Sequence, residues 1–163
     1  MPRPSATLRL GDVAPDFALN DAATGERVSL DTLLAGRRGA LLVFHRGMWC
    51  PNCRGQLGEL GEQMPRLEQA GLGVAAILAQ TCERMSAALQ RRESAYPFPL
   101  LCDGDRAVVK RYGVWHPIGV VSFNTAHPAS FLIDAAQRRI RYAFVGSTQF
   151  ARAPVDAILA RAS

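Results

Sequence analysis

Two cysteines three positions apart, Cys50 and Cys53, lie in the stretch VFHRGMWCPNCRGQL, between a short apolar run and a segment with helical spacing. A Cys-x-x-Cys pair in that setting can be a redox dithiol, half of a metal clamp, or packing. Placed on the first turn of a helix, the two sulfurs approach to bonding distance, and the first meets the positive end of the helix dipole, which favours thiolate. Cys50 directly precedes Pro51, whose fixed φ and missing N–H suit the first helical position. The expected order is an exposed, attacking Cys50 and a more buried Cys53 that resolves a mixed disulfide or a sulfenic acid. Trp49 would shield the pair, and Arg46, Arg54 and His45 are close enough in sequence to serve the thiolate or its substrate. An exposed arginine is more commonly only solvated, and a histidine at a strand end is more commonly part of the core.

The elements that must hold this pair can be read on either side of it. GALLVFHR is a continuous apolar run suited to a fully buried central strand. After Pro51, Leu57, Leu60, Met64 and Leu67 recur every three or four residues, giving one face of a helix disturbed at Pro65 and closed by Gly71. LGVAAILAQ repeats the strand, and TCERMSAALQRRE is a helix that Thr81 caps. Alternating strand and helix imply a parallel sheet. Before this unit, GDVAPDFALNDAATGERVSL reads as a hairpin about DAATGE. After it come a short strand at the end of AYPFPLLCDGD, a short helix in RAVVKRYGV, and WHPIGVVSFNTAHP as a long loop without clear period. ASFLIDAAQRRIRYAFVG gives two antiparallel strands about AAQR, and APVDAILARA a terminal helix with Pro154 near its first turn.

Composition narrows the function classes. With 163 residues, 48% of them hydrophobic and 20% charged, the chain is long enough to fold on one core without disulfides. The net charge of +5 is almost wholly arginine, Lys110 being the only lysine, and it is dispersed rather than gathered into a stripe. That argues against a nucleic-acid partner. The start, MPRPSATLRLGDVAP, lacks the apolar segment of roughly 7 to 15 residues of a secretory signal, and no apolar run approaches membrane-spanning length. A cytoplasmic protein with no membrane partner is expected. In a reducing compartment Cys82 and Cys102, distant in sequence and on different elements, read as separate small buried hydrophobes, with a lesser reading in which one of them takes part in a second exchange step. They do not complete a zinc site with Cys50 and Cys53, so no metal and no cofactor is expected.

The order of hairpin, buried strand, WCPNC at a helix start, strand, helix and HPASFLID resembles the thioredoxin-fold superfamily, and more closely the peroxiredoxin-like (AhpC/TSA, redoxin-domain) family. Gly11, Ala14, Pro15, Phe17 and Leu19 match its opening G-x-x-A-P-x-F-x-L, and the similarity runs to YAFVGSTQFARAPVDAILA. The resemblance implies an α/β fold, with a central mixed sheet flanked by helices and an N-terminal β-hairpin, forming one domain over residues 1–163. It implies Cys50 as the reactive cysteine, Cys53 as its partner, and Pro128 as the proline that in thioredoxin-like proteins is cis and faces the active disulfide. It further implies a hydroperoxide or disulfide substrate, an external thiol reductant of thioredoxin or glutathione type, and a homodimer. Typical members place proline seven residues and threonine or serine three residues before the reactive cysteine; here Val43 and Gly47 stand there. Three readings stay open: a peroxiredoxin-like thiol peroxidase, a thioredoxin-type disulfide oxidoreductase, and a non-enzymatic redox-sensing module. The loop from Trp115 to His127 is the expected substrate or partner surface, with Trp115, His116 and Phe123 equally readable as local core beneath it.

Overall fold

The run GALLVFH has no polar interruption before His45, and a strand of that kind is stable only when both faces are covered. In the computed structural model, which describes residues 8–92, 95–118, 123–146 and 153–162, it forms β3 (Gly39–His45), buried at every position. Its parallel neighbour β4 (Leu72–Leu78) is buried throughout as well, in the register Gly39↔Leu72 to His45↔Leu78. The hairpin expected at the N-terminus is β1 (Ala18–Asp21) and β2 (Arg27–Ser29). Ser29 then caps a short helix, α1 (Leu30–Leu34), through a reciprocal capping box with Thr32. Sequence periodicity did not reveal α1 because five residues are too few to display it.

The seven strands run in the order β2-β1-β5-β4-β3-β8-β9, with β5 (Leu100–Cys102), β8 (Ala129–Asp134) and β9 (Ile140–Val145). β3, β4 and β5 are parallel, and β8 and β9 return antiparallel beside β3. The fold class is therefore the expected mixed sheet, and the N-terminal hairpin joins its edge through Asn20↔Cys102. Alternate residues of β3 serve two cores. Leu42 and Phe44 meet α1 and α5 (Ala107–Arg111), where Phe44, Tyr112 and Phe131 pack ring on ring. Leu41 and Val43 meet α2 (Pro51–Glu62), α3 (Met64–Gln69), α4 (Cys82–Leu89) and α6 (Val155–Arg161). The predicted disturbance at Pro65 is the break between α2 and α3 at Gln63.

Three expectations are corrected. Trp115 to Ala126 is not an irregular loop: Trp115–Ile118 forms β6 and Phe123–Ala126 forms β7, paired antiparallel, with the intervening 119–122 outside the described residues. Pro117 and the lack of clear alternation hid a two-stranded ribbon, which tolerates proline because it has no inner strand. The His127–Pro128 peptide is trans, since no described bond is cis. Finally, Cys82 and Cys102 are not separate buried thiols but a disulfide, with their Cα atoms 5.2 Å apart. Parallel pairing of β4 with β5 brings the start of α4 beside the end of β5, a contact that sequence distance conceals.

Closing that 20-residue separation stabilises the fold by about 3 kcal/mol through the unfolded chain. Urea unfolding of Cys82→Ser/Cys102→Ser is expected to show a loss of that size, and wild type with reductant should match the variant. A second expectation concerns His45, buried with Nδ1 unpartnered, whose pKa desolvation lowers from 6.5 to about 4. Between those values the unfolded chain holds a proton that the folded chain refuses, so stability falls as pH drops from about 6.5 to 4. His45→Phe should remove about 3 kcal/mol of that acid sensitivity in the same unfolding assay.

Candidate active site

β3 delivers the chain to the carboxyl end of the parallel strands, the place where open α/β sheets build their sites. The turn that follows, residues 46 to 50, is fixed from two sides. Met48 N–H donates to the Gln80 Oε1 at 2.8 Å, and Thr125 Oγ1 donates to the Arg46 carbonyl at 3.2 Å. Gln80 follows β4 and Thr125 belongs to β7, so two neighbouring strand systems set the position of the loop. A Cβ on Gly47 would lie 2.5 Å from Trp49 Nε1 and 2.7 Å from the Gln80 side chain. A side chain at this position would have to displace the ends of the Trp49 and Gln80 side chains.

Cys50 is the N-cap of α2, with φ −87° and ψ 115°, the extended backbone that a following proline enforces. Pro51 sits in the first turn, as expected. The Cys50 sulfur folds back over that turn and accepts the Cys53 N–H at 3.4 Å. The expected exposure is wrong: Cys50 is 1% exposed and Cys53 2%, both as free thiols.

The two sulfurs also touch each other, and Cys53 is held protonated. Desolvation pushes its thiol up to about 12, the hydrogen bond with Cys50 adds to the rise, and backbone groups of Arg46 and Gly47 oppose it. Arg46 is buried, and its guanidinium stacks over Trp49 at 5.3 Å from the ring centroid. Trp49 itself is 48% exposed, so it roofs Arg46 and presents an aromatic face to solvent.

The other expected residues lie elsewhere. Arg54 is exposed on α2 and acts electrostatically on Tyr96, while its N–H donates to the Cys50 carbonyl at 3.1 Å. Pro128 is buried, its carbonyl accepts the Gly146 N–H at 2.7 Å, and it shares with His45 a cavity whose described lining includes neither Cys50 nor Cys53. Trp115 is partly exposed under the Lys110 ammonium; the side chains of His116 and Phe123 are outside the described residues. Gln80 and Thr125 were not foreseen. Gln80 could have been found from its place just beyond a parallel strand that adjoins the cysteine strand. Thr125 depends on a ribbon that has no sequence signal. Among the described residues no group of three His, Cys, Asp or Glu side chains is arranged to hold a metal, and no helix is long and apolar enough to cross a membrane.

Comparison with known proteins agrees with this architecture. The AhpC/TSA family model matches residues 10–143. Peroxiredoxin Bcp of Escherichia coli (strain K12) is 35% identical over 130 residues, covering 78% of this chain and 80% of its own. Among solved structures, peroxidoxin BcpB from Mycobacterium tuberculosis superposes with a TM-score of 0.78 at 20% identity, over 95% of this chain and 96% of its own. Enterococcus faecalis AhpC gives 0.79 at 18% identity, over 94% and 89%. At those identities the structures speak for the fold, while the family match and the Bcp similarity carry the assignment: the chain belongs to the AhpC/TSA family and is a peroxiredoxin-like thiol-dependent oxidoreductase.

Proposed function

We propose that the chain reduces hydroperoxides through Cys50, with Cys53 as the resolving thiol. The observation that carries this reading is the capping of α2 by the Cys50 sulfur, which places that atom in the field of the helix N-terminus and against Cys53. In the first step the Cys50 thiolate attacks the terminal oxygen of the hydroperoxide. The O–O bond breaks, Cys50 becomes a sulfenic acid, and the departing alkoxide or hydroxide takes a proton. In the second step the Cys53 sulfur displaces water from the sulfenic acid, forming an intramolecular disulfide. The high proton affinity of Cys53 keeps it from competing as the attacking group and lets it bring the proton that leaves with that water. An external dithiol of thioredoxin or glutathione type then supplies two electrons and two protons.

Buried Arg46 and the backbone around Gly47 would steady negative charge on the leaving oxygen, in place of the side chain that Gly47 lacks. Gln80 positions that backbone. We place this reaction in the cytoplasm, as a function of the whole domain. The Cys-x-x-Cys spacing with an intervening Pro51 favours a second reading, in which the same dithiol exchanges with disulfides.

Stopped-flow mixing of reduced protein with hydrogen peroxide at pH 7, followed by Trp49 fluorescence, separates the two. Peroxidase function predicts rapid single-turnover oxidation, abolished in Cys50→Ser, with a trappable sulfenic acid accumulating in Cys53→Ser. Slow oxidation beside rapid exchange with a small disulfide would replace it with the second reading. In the same assay Gln80→Ala is expected to slow oxidation about tenfold and to cost about 1–2 kcal/mol of stability, the loss of one buried hydrogen bond. Gln80→Glu, which keeps the acceptor for Met48, should restore most of the rate.

A further inference from the structure

The disulfide between Cys82 and Cys102 joins two elements that differ in access to solvent. Cys102 ends β5 and is 8% exposed, whereas Cys82 opens α4 half-buried, between the exposed residues Thr81 and Glu83. An attacking thiol therefore approaches the bond from the Cys82 side. The elements it joins have other fastenings. α4 keeps the Thr81 cap on the Arg84 N–H, the fully buried side chain of Met85, and a hydrogen bond donated by Ser86 Oγ to the Ala22 carbonyl at 2.9 Å. β5 is paired to β4 through Leu78↔Cys102 and to β1 through Asn20↔Cys102. Opening the bond thus frees a short turn and leaves the layers of the fold in place. Cys82 Sγ also lies 3.8 Å from the Asn20 carbonyl, which becomes an acceptor for its S–H once the bond is open. Because Asn20 is the strand partner of Cys102, the two thiols stay side by side and able to close again.

The freed turn carries the support of a second one. Gln80, two residues before Cys82, accepts the Met48 N–H at 2.8 Å and so holds the 46–50 turn that leads to Cys50. We propose that Cys82–Cys102 is a second thiol-exchange site, which an external dithiol opens at Cys82 and an external disulfide closes, and whose opening releases the hold of Gln80 on Met48. In the opening step a thiolate of the dithiol attacks the Cys82 sulfur. The bond to Cys102 breaks, Cys82 is left in a mixed disulfide with the reagent, and Cys102 departs as a thiolate that takes up the proton the attacking thiol gave up. The second thiol of the reagent then attacks its own sulfur in the mixed disulfide and releases Cys82, which is protonated in turn. The pair gains two electrons and two protons, and the dithiol becomes a disulfide; the same steps in reverse close the pair. Disulfides of cytoplasmic proteins are characteristically transient ones. The cytoplasmic placement proposed above decides only which state prevails, and Cys50 and Cys53 take no part in the exchange.

The exchange is tested on Cys50→Ser/Cys53→Ser protein, which retains only Cys82 and Cys102. It is equilibrated with mixtures of reduced and oxidised dithiothreitol, alkylated and analysed by mass spectrometry, with circular dichroism recorded at each ratio. The expected result is reversible titration of the pair with the folded spectrum unchanged. A pair that opens only where urea unfolds the chain would be a structural brace, and the proposal would fall. In the same background, oxidised glutathione should modify Cys82 of the Cys102→Ser variant about tenfold faster than Cys102 of the Cys82→Ser variant. Equal rates, or faster modification of Cys102, would overturn attack at Cys82. Coupling to the turn is read by amide hydrogen exchange of Cys82→Ser/Cys102→Ser against oxidised wild type, a measurement that involves no peroxide. The Met48 N–H should exchange about tenfold faster in the open form, beyond any change at the Gly146 N–H, whose bond to the Pro128 carbonyl reports a general loss of stability. Gln80→Ala should exchange rapidly at Met48 whether the pair is present or removed. An equal rise at Met48 and Gly146, or a Gln80→Ala protein that still responds to loss of the pair, would show that the bond steadies the whole fold without governing the turn, and would overturn the coupling.

Discussion

The hydrogen bond from the Cys53 N–H to the Cys50 sulfur is the contact on which the site is organised. It makes Cys50 a helix cap, and a cap must satisfy backbone geometry on both sides. On the helix side Pro51 supplies the helical φ and removes an N–H that would otherwise be unpaired. On the strand side the residue before a proline must be extended, as Cys50 is. The Cys50 sulfur is thus placed by constraints that any chain with Cys-Pro at a helix start would obey. What differs here is the support beneath the turn. Gln80 accepts the Met48 N–H, Thr125 donates to the Arg46 carbonyl, and the Trp49 and Gln80 side chains pack closely over Gly47.

Those supports have a common origin in the parallel pairing of β3 with β4. Because His45 lies opposite Leu78, the residues that follow each strand emerge side by side, and Gln80 reaches the loop that follows His45. The same geometry continues one strand further. β5 pairs with the end of β4, and Cys102 closes on Cys82 at the start of α4, two residues beyond Gln80. The disulfide therefore braces the segment that holds the loop leading to Cys50. A covalent link between α4 and β5, a hydrogen bond from Gln80 and a capped turn form one connected arrangement along the carboxyl ends of three parallel strands.

How much of this was legible followed the range of the interactions. β3, β4, the break at Pro65 and the capped start of α4 depend on residues within a few positions of one another, and each was readable from the chain. Pairing Cys50 with Cys53 was equally local. The exposure of Cys50 was misread because the helix position alone does not say what packs over the turn, and here Cys50 is buried. Cys82–Cys102, Gln80 with Met48, and Thr125 with Arg46 join residues 20, 32 and 79 positions apart, and only the strand order brings them together. Pro128 shows the limit of transferring a role by resemblance: the residue is present and buried beside β3's end, yet its peptide is trans and its described surroundings are those of the His45 cavity.

Burial of both thiols sets the remaining constraint on the chemistry. Small peroxides need only a narrow approach to Cys50, but a protein reductant must reach a sulfur that is 1% exposed. The first turn of α2 is held by a sulfur cap rather than by a hydroxyl or carboxylate, and its glycines at 55 and 58 weaken helix propensity in the turns that follow. In the proposed cycle, oxidation of Cys50 changes the group that makes this cap. Beyond that turn, Leu57 and Leu60 anchor α2 in the core shared with α3 and α4.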